Sequence, residues 1–167
     1  MINDLIIEHA DIFGPCSNRN GTVRGWRNFS GRSFKGQGTS MPRFHVKITD
    51  KDLAERLFRE GWKIKQLTPR DPEAEPEYSL EVKVNFGVRP PLIEQCANKR
   101  KVVLNETTIK TLDYAQIEDC YVAVHPRVWE DDGEQHVTAY LTDMLVKLRD
   151  TPFADLYPDY EDGDMPM

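Results

Sequence analysis

The sequence predicts a mainly-β domain, a small antiparallel barrel or strongly curved sheet with one main helix, followed by an acidic tail. Three observations lead there. Several runs alternate apolar and polar residues with the two-residue period of half-buried strands. One segment, about 50–60, has a helical period with a signal at each end. Residues 150–167 hold six acids, no base and three prolines, a composition that cannot build a core and reads as a disordered end. With 167 residues and a 39% hydrophobic share, one core is expected, in a domain spanning 1–149 with the tail at 150–167.

The elements follow in order. Leu5, Ile6 and Ile7 open a short apolar strand that resumes, after a break, through Ile12 and Phe13. From Gly14 to Pro42 the chain holds six of its ten glycines and no hydrophobic period, the mark of a long loop or loosely paired hairpin. Loops of that length inside a compact domain are uncommon unless they are functional. Phe44, Val46 and Ile48 alternate with Arg43, His45 and Lys47 as a strand. Thr49 or Asp50 supplies an N-cap, Leu53, Ala54, Leu57 and Phe58 form a helical face, and Gly61 stands where a glycine stops a helix. Trp62, Ile64 and Leu67 imply a strand ending at Thr68-Pro69, with Trp62 in the core, and Asp71 to Glu77 is a Pro-rich acidic turn.

Leu80, Val82, Val84 and Phe86 alternate with Glu81, Lys83 and Asn85, the cleanest strand period in the chain. Pro90-Pro91 breaks the pattern, a strand spans roughly 101–104, and one or two helical turns gather Ile109, Leu112 and Ile117. Two β-rich runs, 120–129 and 136–148, flank Glu130-Asp-Asp-Gly-Glu134, a loop of hairpin length.

Charge is distributed unevenly along this scaffold. The formal net charge is −6, yet residues 12–49 carry seven Lys or Arg and no acid. There Arg19, Arg24, Arg27, Arg32, Lys35 and Arg43 are interleaved with Trp26, Phe29 and Phe34, a mixture that neutralises phosphates and stacks bases. Glycines let such a loop order around a polymer. The other reading is a solvated loop whose aromatics plug the core, with Phe44 the aromatic best placed to do so. A second candidate surface lies on the final hairpin, where Tyr121, Ala123, His125, Arg127 and Trp129 share one face and Cys120, Val122, Val124 and Val128 the other. Either face of such a strand can turn inward. The nucleic-acid reading makes an OB-like barrel the most economical fold.

In the tail, Asp159, Glu161, Asp162 and Asp164 precede Met165-Pro166-Met167. Such a segment can occupy a basic groove, dock an apolar tip on a partner, or simply keep the protein soluble.

Other chemistry finds little support. Cys16, Cys96 and Cys120 are odd in number and widely spaced, against disulfides and zinc. There is no phosphate-binding Gly-rich loop ending in Lys-Ser/Thr, no His-Glu-x-x-His and no Ser or Cys nucleophile signature. No catalytic residue, cofactor or metal is expected. The enzyme alternative is a Mg²⁺-dependent nuclease built on Asp71, Glu81 and Lys83, because two carboxylates and a Lys can hold a metal and position water. A third class is a DNA-mimic inhibitor acting through the acidic tail. No signal peptide or membrane span is read, so a cytoplasmic location without membrane partners is expected.

Arg27-Asn28-Phe29-Ser30-Gly31, Arg43-Phe44-His45-Val46-Lys47-Ile48, Gly61-Trp62-Lys63-Ile64-Lys65 and the Trp129 hairpin resemble single-stranded DNA-binding proteins of bacteriophages and related mobile elements. The likeness runs over roughly 26–157. Residues 159–167 are similar to the acidic tails of bacterial and phage single-stranded-DNA-binding proteins, although bacterial ones usually end in Pro-Phe and this chain ends in Pro-Met. The resemblance implies an OB fold, single-stranded DNA as ligand, and a role in phage replication or recombination in the host bacterial cytoplasm. It also implies replication or recombination proteins as partners of the tail. Preference for DNA over RNA, homo-oligomerisation and site size are left open.

Overall fold

The computed structural model describes residues 2–13, 27–31, 41–67, 72–73, 75–87 and 89–150. The predicted contacts of 14–26 and 32–40, the Asp71 side chain and the tail beyond Asp150 lie outside the described residues. Among the described residues ten strands form one mixed sheet: β1 (Leu5–Ile7), β2 (Asp11–Ile12), β3 (Arg27–Asn28), β4 (Arg43–Ile48), β5 (Ile64–Leu67), β6 (Glu77–Lys83), β7 (Leu92–Ala97), β8 (Arg100–Leu104), β9 (Ile117–Asp131) and β10 (Glu134–Leu148). Among the described residues, one α-helix, α1 (Lys51–Glu60), and a 3₁₀ turn, Ile109–Asp113, complete the regular structure.

The β9–β10 hairpin is the spine. Its strands are longer than the sequence pattern indicates because the loop is just Asp132-Gly133, both at positive φ (51° and 79°). That is the left-handed geometry of a two-residue turn matching the twist of the flanking strands. β9 pairs with one edge of β10 along its length. The other edge of β10 is shared: Ala139 and Tyr140 pair in parallel with β6, and Asp143 to Lys147 pair in parallel with β7. The change of partner falls at an irregularity between Leu141 and Asp143. A bulge at this point bends the strand and re-aims its edge.

Two features of the expected fold are corrected. The sheet is mixed rather than antiparallel, because β10 runs parallel to both neighbours on its second edge. It is also not closed into a barrel: the ladder runs β1-β9-β10-β6-β4-β2 and ends in two strands that share no ladder. The reason is local. At Glu8–Ala10 the chain turns, with His9 at φ 49°, and leaves β9 for β4. The break expected after Ile7 is this turn.

One core lies under the sheet. Phe44, Val46, Leu80, Val82, Val122, Val124, Ala139 and Val146 alternate into it, and Trp62 is buried as expected, its Nε1 donating to Glu60 Oε1 at 2.9 Å. The helix obeys its caps. Asp50 accepts from the N–H groups of Asp52 and Leu53, and Gly61 at φ 100° ends the helix with its N–H on Phe58 and that of Trp62 on the Leu57 carbonyl. This is the paired 6→1 and 5→2 closure of a left-handed cap. Ala54 and Leu57 face the core, whereas Phe58, expected with them, is 67% exposed because the buried stripe is narrower than four residues.

Gly61 has a second constraint: a Cβ there would stand 2.3 Å from the Gln135 carbonyl oxygen at the start of β10. Gly61→Ala is therefore expected to cost more than the ~1–2 kcal/mol of a left-handed residue, read as a lowered urea midpoint. An unchanged midpoint would show that β10 does not approach the cap this closely.

Candidate nucleic-acid interface

The alternation that buries the core turns a second set of residues outward on β4, β6, β10 and β9. Register places Arg43 opposite Lys83 and His45 opposite Glu81. Lys83 then lies opposite Tyr140, Tyr140 opposite His125, Thr138 opposite Arg127, and His136 opposite Trp129. One face of the sheet thus brings cations and rings together across four strands. Its centre is a cavity of about 350 Å³ lined by Lys63, Glu81, Lys83, Trp129, His136 and Thr138, among others. A second, of about 570 Å³, adjoins it through the Arg127–Thr138 and Tyr140–Lys83 pairs and adds Arg89, Asn85 and His125. Both are of small-ligand size.

The rings are held in place. Trp129 stacks on His136 with centroids 4.5 Å apart and planes 26° from parallel, and its Nε1 donates to Thr138 Oγ1 at 3.0 Å. The residue remains 44% exposed, leaving ring surface for a ligand. Lys83 and Arg127 make no ion pair among the described residues, so their charge is available. Lys63 is committed in part: its Nζ lies 3.0 Å from Glu81 Oε2, and His45 Nε2 is 4.0 Å from the same oxygen. Burial pushes the His45 imidazole down to about 4, Glu81 opposing and Lys63, Arg43 and Lys65 reinforcing the shift. His45 is thus neutral at physiological pH and adds no positive charge to the face.

The expected residues divide. Arg127, Trp129 and Arg43 share this face. Tyr121 lies on the same strand but beyond the bulge, where it lines a small apolar cavity with Ile6, Leu92 and Leu145. Its hydroxyl is 3.2 Å from His9 Nε2, and His9 Nδ1 is 3.1 Å from Asp119. Desolvation, then Asp119 and Glu8, push its phenol above the ordinary value.

Arg27 and Phe29, expected on nucleic acid, are corrected by their burial. Phe29 is fully buried and stacks on Phe44, centroids 5.0 Å apart. Arg27, 4% exposed, donates from its guanidinium to the carbonyls of Leu112 (3.2 Å) and Ala115 (2.9 Å), and less closely to Phe13 and Ile12. Buried Asp113 accepts from the N–H groups of Phe29 and Ser30 and opposes the desolvation that lowers the Arg27 pKa. A hydrogen-bonded Arg inside a fold is satisfied by carbonyls as readily as by phosphates.

Glu81 and Lys83 share one face of β6 as the nuclease alternative requires, but the Glu81 carboxylate is engaged by Lys63. Among the described residues no three His, Cys, Asp or Glu side chains gather at a metal site, and no helix is long and apolar enough to cross a membrane. Asp150, the first acid of the tail, is fastened to the domain: it accepts from Asn98 N–H (2.6 Å) and Lys147 Nζ (2.8 Å), which hold its carboxyl below its ordinary value, Lys147 the more strongly.

Lys63, His136, Thr138, Tyr140 and Arg89 were not anticipated. The signal for three of them was present, since His136, Thr138 and Tyr140 alternate on a strand that a two-residue turn would set opposite Trp129, Arg127 and His125.

The family described as "Putative phage ssDNA-binding domain" matches residues 20–165. The chain belongs to that family. No curated protein matches it. Among solved structures, the chain is similar to the single-stranded DNA-binding protein from bacteriophage Enc34. In complex with ssDNA that protein shares 13% identity, with 90% of this chain and 89% of that chain covered and a TM-score of 0.49. A C-terminal truncation gives 12%, 90%, 88% and 0.49, and a further structure of that protein gives 12%, 94%, 87% and 0.48.

Two outcomes follow from the buried groups. Arg27→Ala is expected to lower stability by about 3 kcal/mol in urea unfolding, since it strands carbonyls and Asp113 in the interior. A stable variant with weakened nucleic-acid binding would return Arg27 to the interface. His45 binds a proton in the unfolded chain near 6.5 and in the folded one near 4, so stability is lost as pH falls through that window. The thermal midpoint should drop between pH 7 and 4, and His45→Gln should flatten part of the drop; an equal drop in both proteins would remove His45 from the cause.

Proposed function

We propose that this chain is a non-catalytic, largely sequence-tolerant single-stranded DNA-binding protein that coats or organises ssDNA in phage replication or recombination. The observation that carries the reading is the outward face on which Lys83 and Arg127, which make no ion pair among the described residues, share the surface with the Trp129–His136 stack beside two adjoining cavities. Cations there neutralise phosphates, and exposed rings stack any base, since every base has a π-face. Membership of the phage family supports the same reading.

Arg19, Arg24, Arg32 and Lys35 of the basic stretch add phosphate contacts and Trp26 and Phe34 base contacts, while Arg43 contributes from β4 opposite Lys83. The acidic tail competes with DNA for the cationic face and recruits replication or recombination proteins through Met165-Pro166-Met167. In Mg²⁺ the bound strand stays intact.

Anisotropy titrations with labelled single-stranded and duplex oligonucleotides over a salt series test this. Tighter, salt-sensitive binding of the single strand is expected. Lys83→Ala and Arg127→Ala should each reduce the log–log salt slope by about 0.7, the value of one phosphate contact on a single strand. Trp129→Ala should weaken binding by about 1–3 kcal/mol. Absence of binding at low salt, or a triple variant that binds like the native protein, would overturn the assignment.

A further inference from the structure

The central cavity contains a group that phosphate binding does not explain. Glu81 is buried, yet it lines the cavity together with Lys63, Lys83 and the Trp129–His136 stack. A carboxylate is the wrong sign for a phosphate. Both of its charged contacts, to Lys63 and His45, fall on Oε2. Oε1 takes part in no hydrogen bond among the described residues.

A nucleotide seated here would meet three kinds of group at once. Its base has the exposed part of Trp129 to stack on, its phosphate has Lys83 and the ammonium of Lys63, and the edge of its base faces an acceptor. Acceptors discriminate among bases. Cytosine, adenine and guanine carry amino donors, whereas thymine and uracil present carbonyl oxygens on either side of a single N–H. Carbonyl oxygens and a carboxylate repel.

We infer that this cavity is a base-reading subsite in which Glu81 Oε1 accepts a hydrogen bond from the exocyclic amine of one nucleotide, favouring amino bases over thymine or uracil. This rests on the proposed single-strand binding and adds one position of preference to an otherwise tolerant surface. Lys63 holds the carboxylate in place from one side, and the Trp129–His136 stack, fixed by Thr138, provides the base platform.

The test compares oligo(dC) with oligo(dU) of equal length, bases that differ at position 4 in presenting an amine or a carbonyl. The native full-length protein should bind the dC strand more tightly by roughly five-fold, a modest hydrogen-bond discrimination. In Glu81→Gln the ratio should fall toward one, because an amide both donates and accepts. A native ratio at or below one overturns the inference, as does a folded Glu81→Gln variant that keeps the native ratio. If Glu81→Gln fails to fold, the native dC/dU ratio still decides. Failure to bind either strand would instead overturn the single-strand reading on which the subsite depends.

Discussion

The structure depends on β10 having two different partners along one edge. A strand can normally offer each edge to one neighbour, but the irregularity after Leu141 splits this edge between β6 and β7. The bend is fixed from the other side, where Thr142 Oγ1 donates to the Ala123 carbonyl on β9 at 3.0 Å. The consequence is a division of labour on one hairpin. Before the bulge its outward residues are His136, Thr138 and Tyr140 facing Trp129, Arg127 and His125; beyond it Asp143, Leu145 and Lys147 face Ala123, Tyr121 and Asp119, a more mixed surface. The two surfaces of the hairpin are therefore separated by a single change in strand pairing.

A second constraint fixes what the basic stretch can contribute. Of its cations among the described residues, Arg27 is turned inward onto carbonyls, Lys47 is paired with Glu77 at 2.9 Å, and Arg43 sits beside Lys83. Counting bases along the sequence treats all three as equal. The physical difference lies in partners: burial costs the Arg27 guanidinium its hydration, and several carbonyls and a nearby carboxylate meet its donors and offset that cost, a role that leaves nothing for a phosphate. Arg27 also ties β3 to the 3₁₀ turn and to the chain leaving β2, places far apart in sequence.

This explains which parts of the molecule were legible. The helix was readable because its caps are local: Asp50 and Gly61 act within a few residues of themselves. β4 and the β6 region were readable because apolar and polar residues alternate along them, so the period survives in the residues even though Ser79 and Glu81, on the polar face of β6, are themselves buried. β7 was missed because Leu92–Ala97 has one fully buried residue, Ile93, and turns at Asn98-Lys99 without the usual glycine, although both residues hold positive φ. The mixed sheet was not legible at all, since parallel pairing of β10 is decided by residues more than fifty positions away. In the site, Trp129 and Arg127 could be placed by alternation, but whether Arg27 and Phe29 faced in or out depended on Asp113 and Phe44.

The placement of Glu81 shows how an acidic protein can present a cationic groove without making it uniformly sticky. Lys63 is only partly available to an incoming phosphate, because its ammonium already neutralises a buried carboxylate. If a phosphate recruits Lys63, the carboxylate is left needing another donor in a place of low solvent access, and a buried acceptor without a donor is costly. A base that supplies an amine removes that penalty; one that supplies a carbonyl adds to it. In the proposed subsite, one ion pair would thus both lower the groove's general attraction for polyanions and make the remaining attraction depend on the base, so that electrostatic restraint and chemical reading follow from one contact.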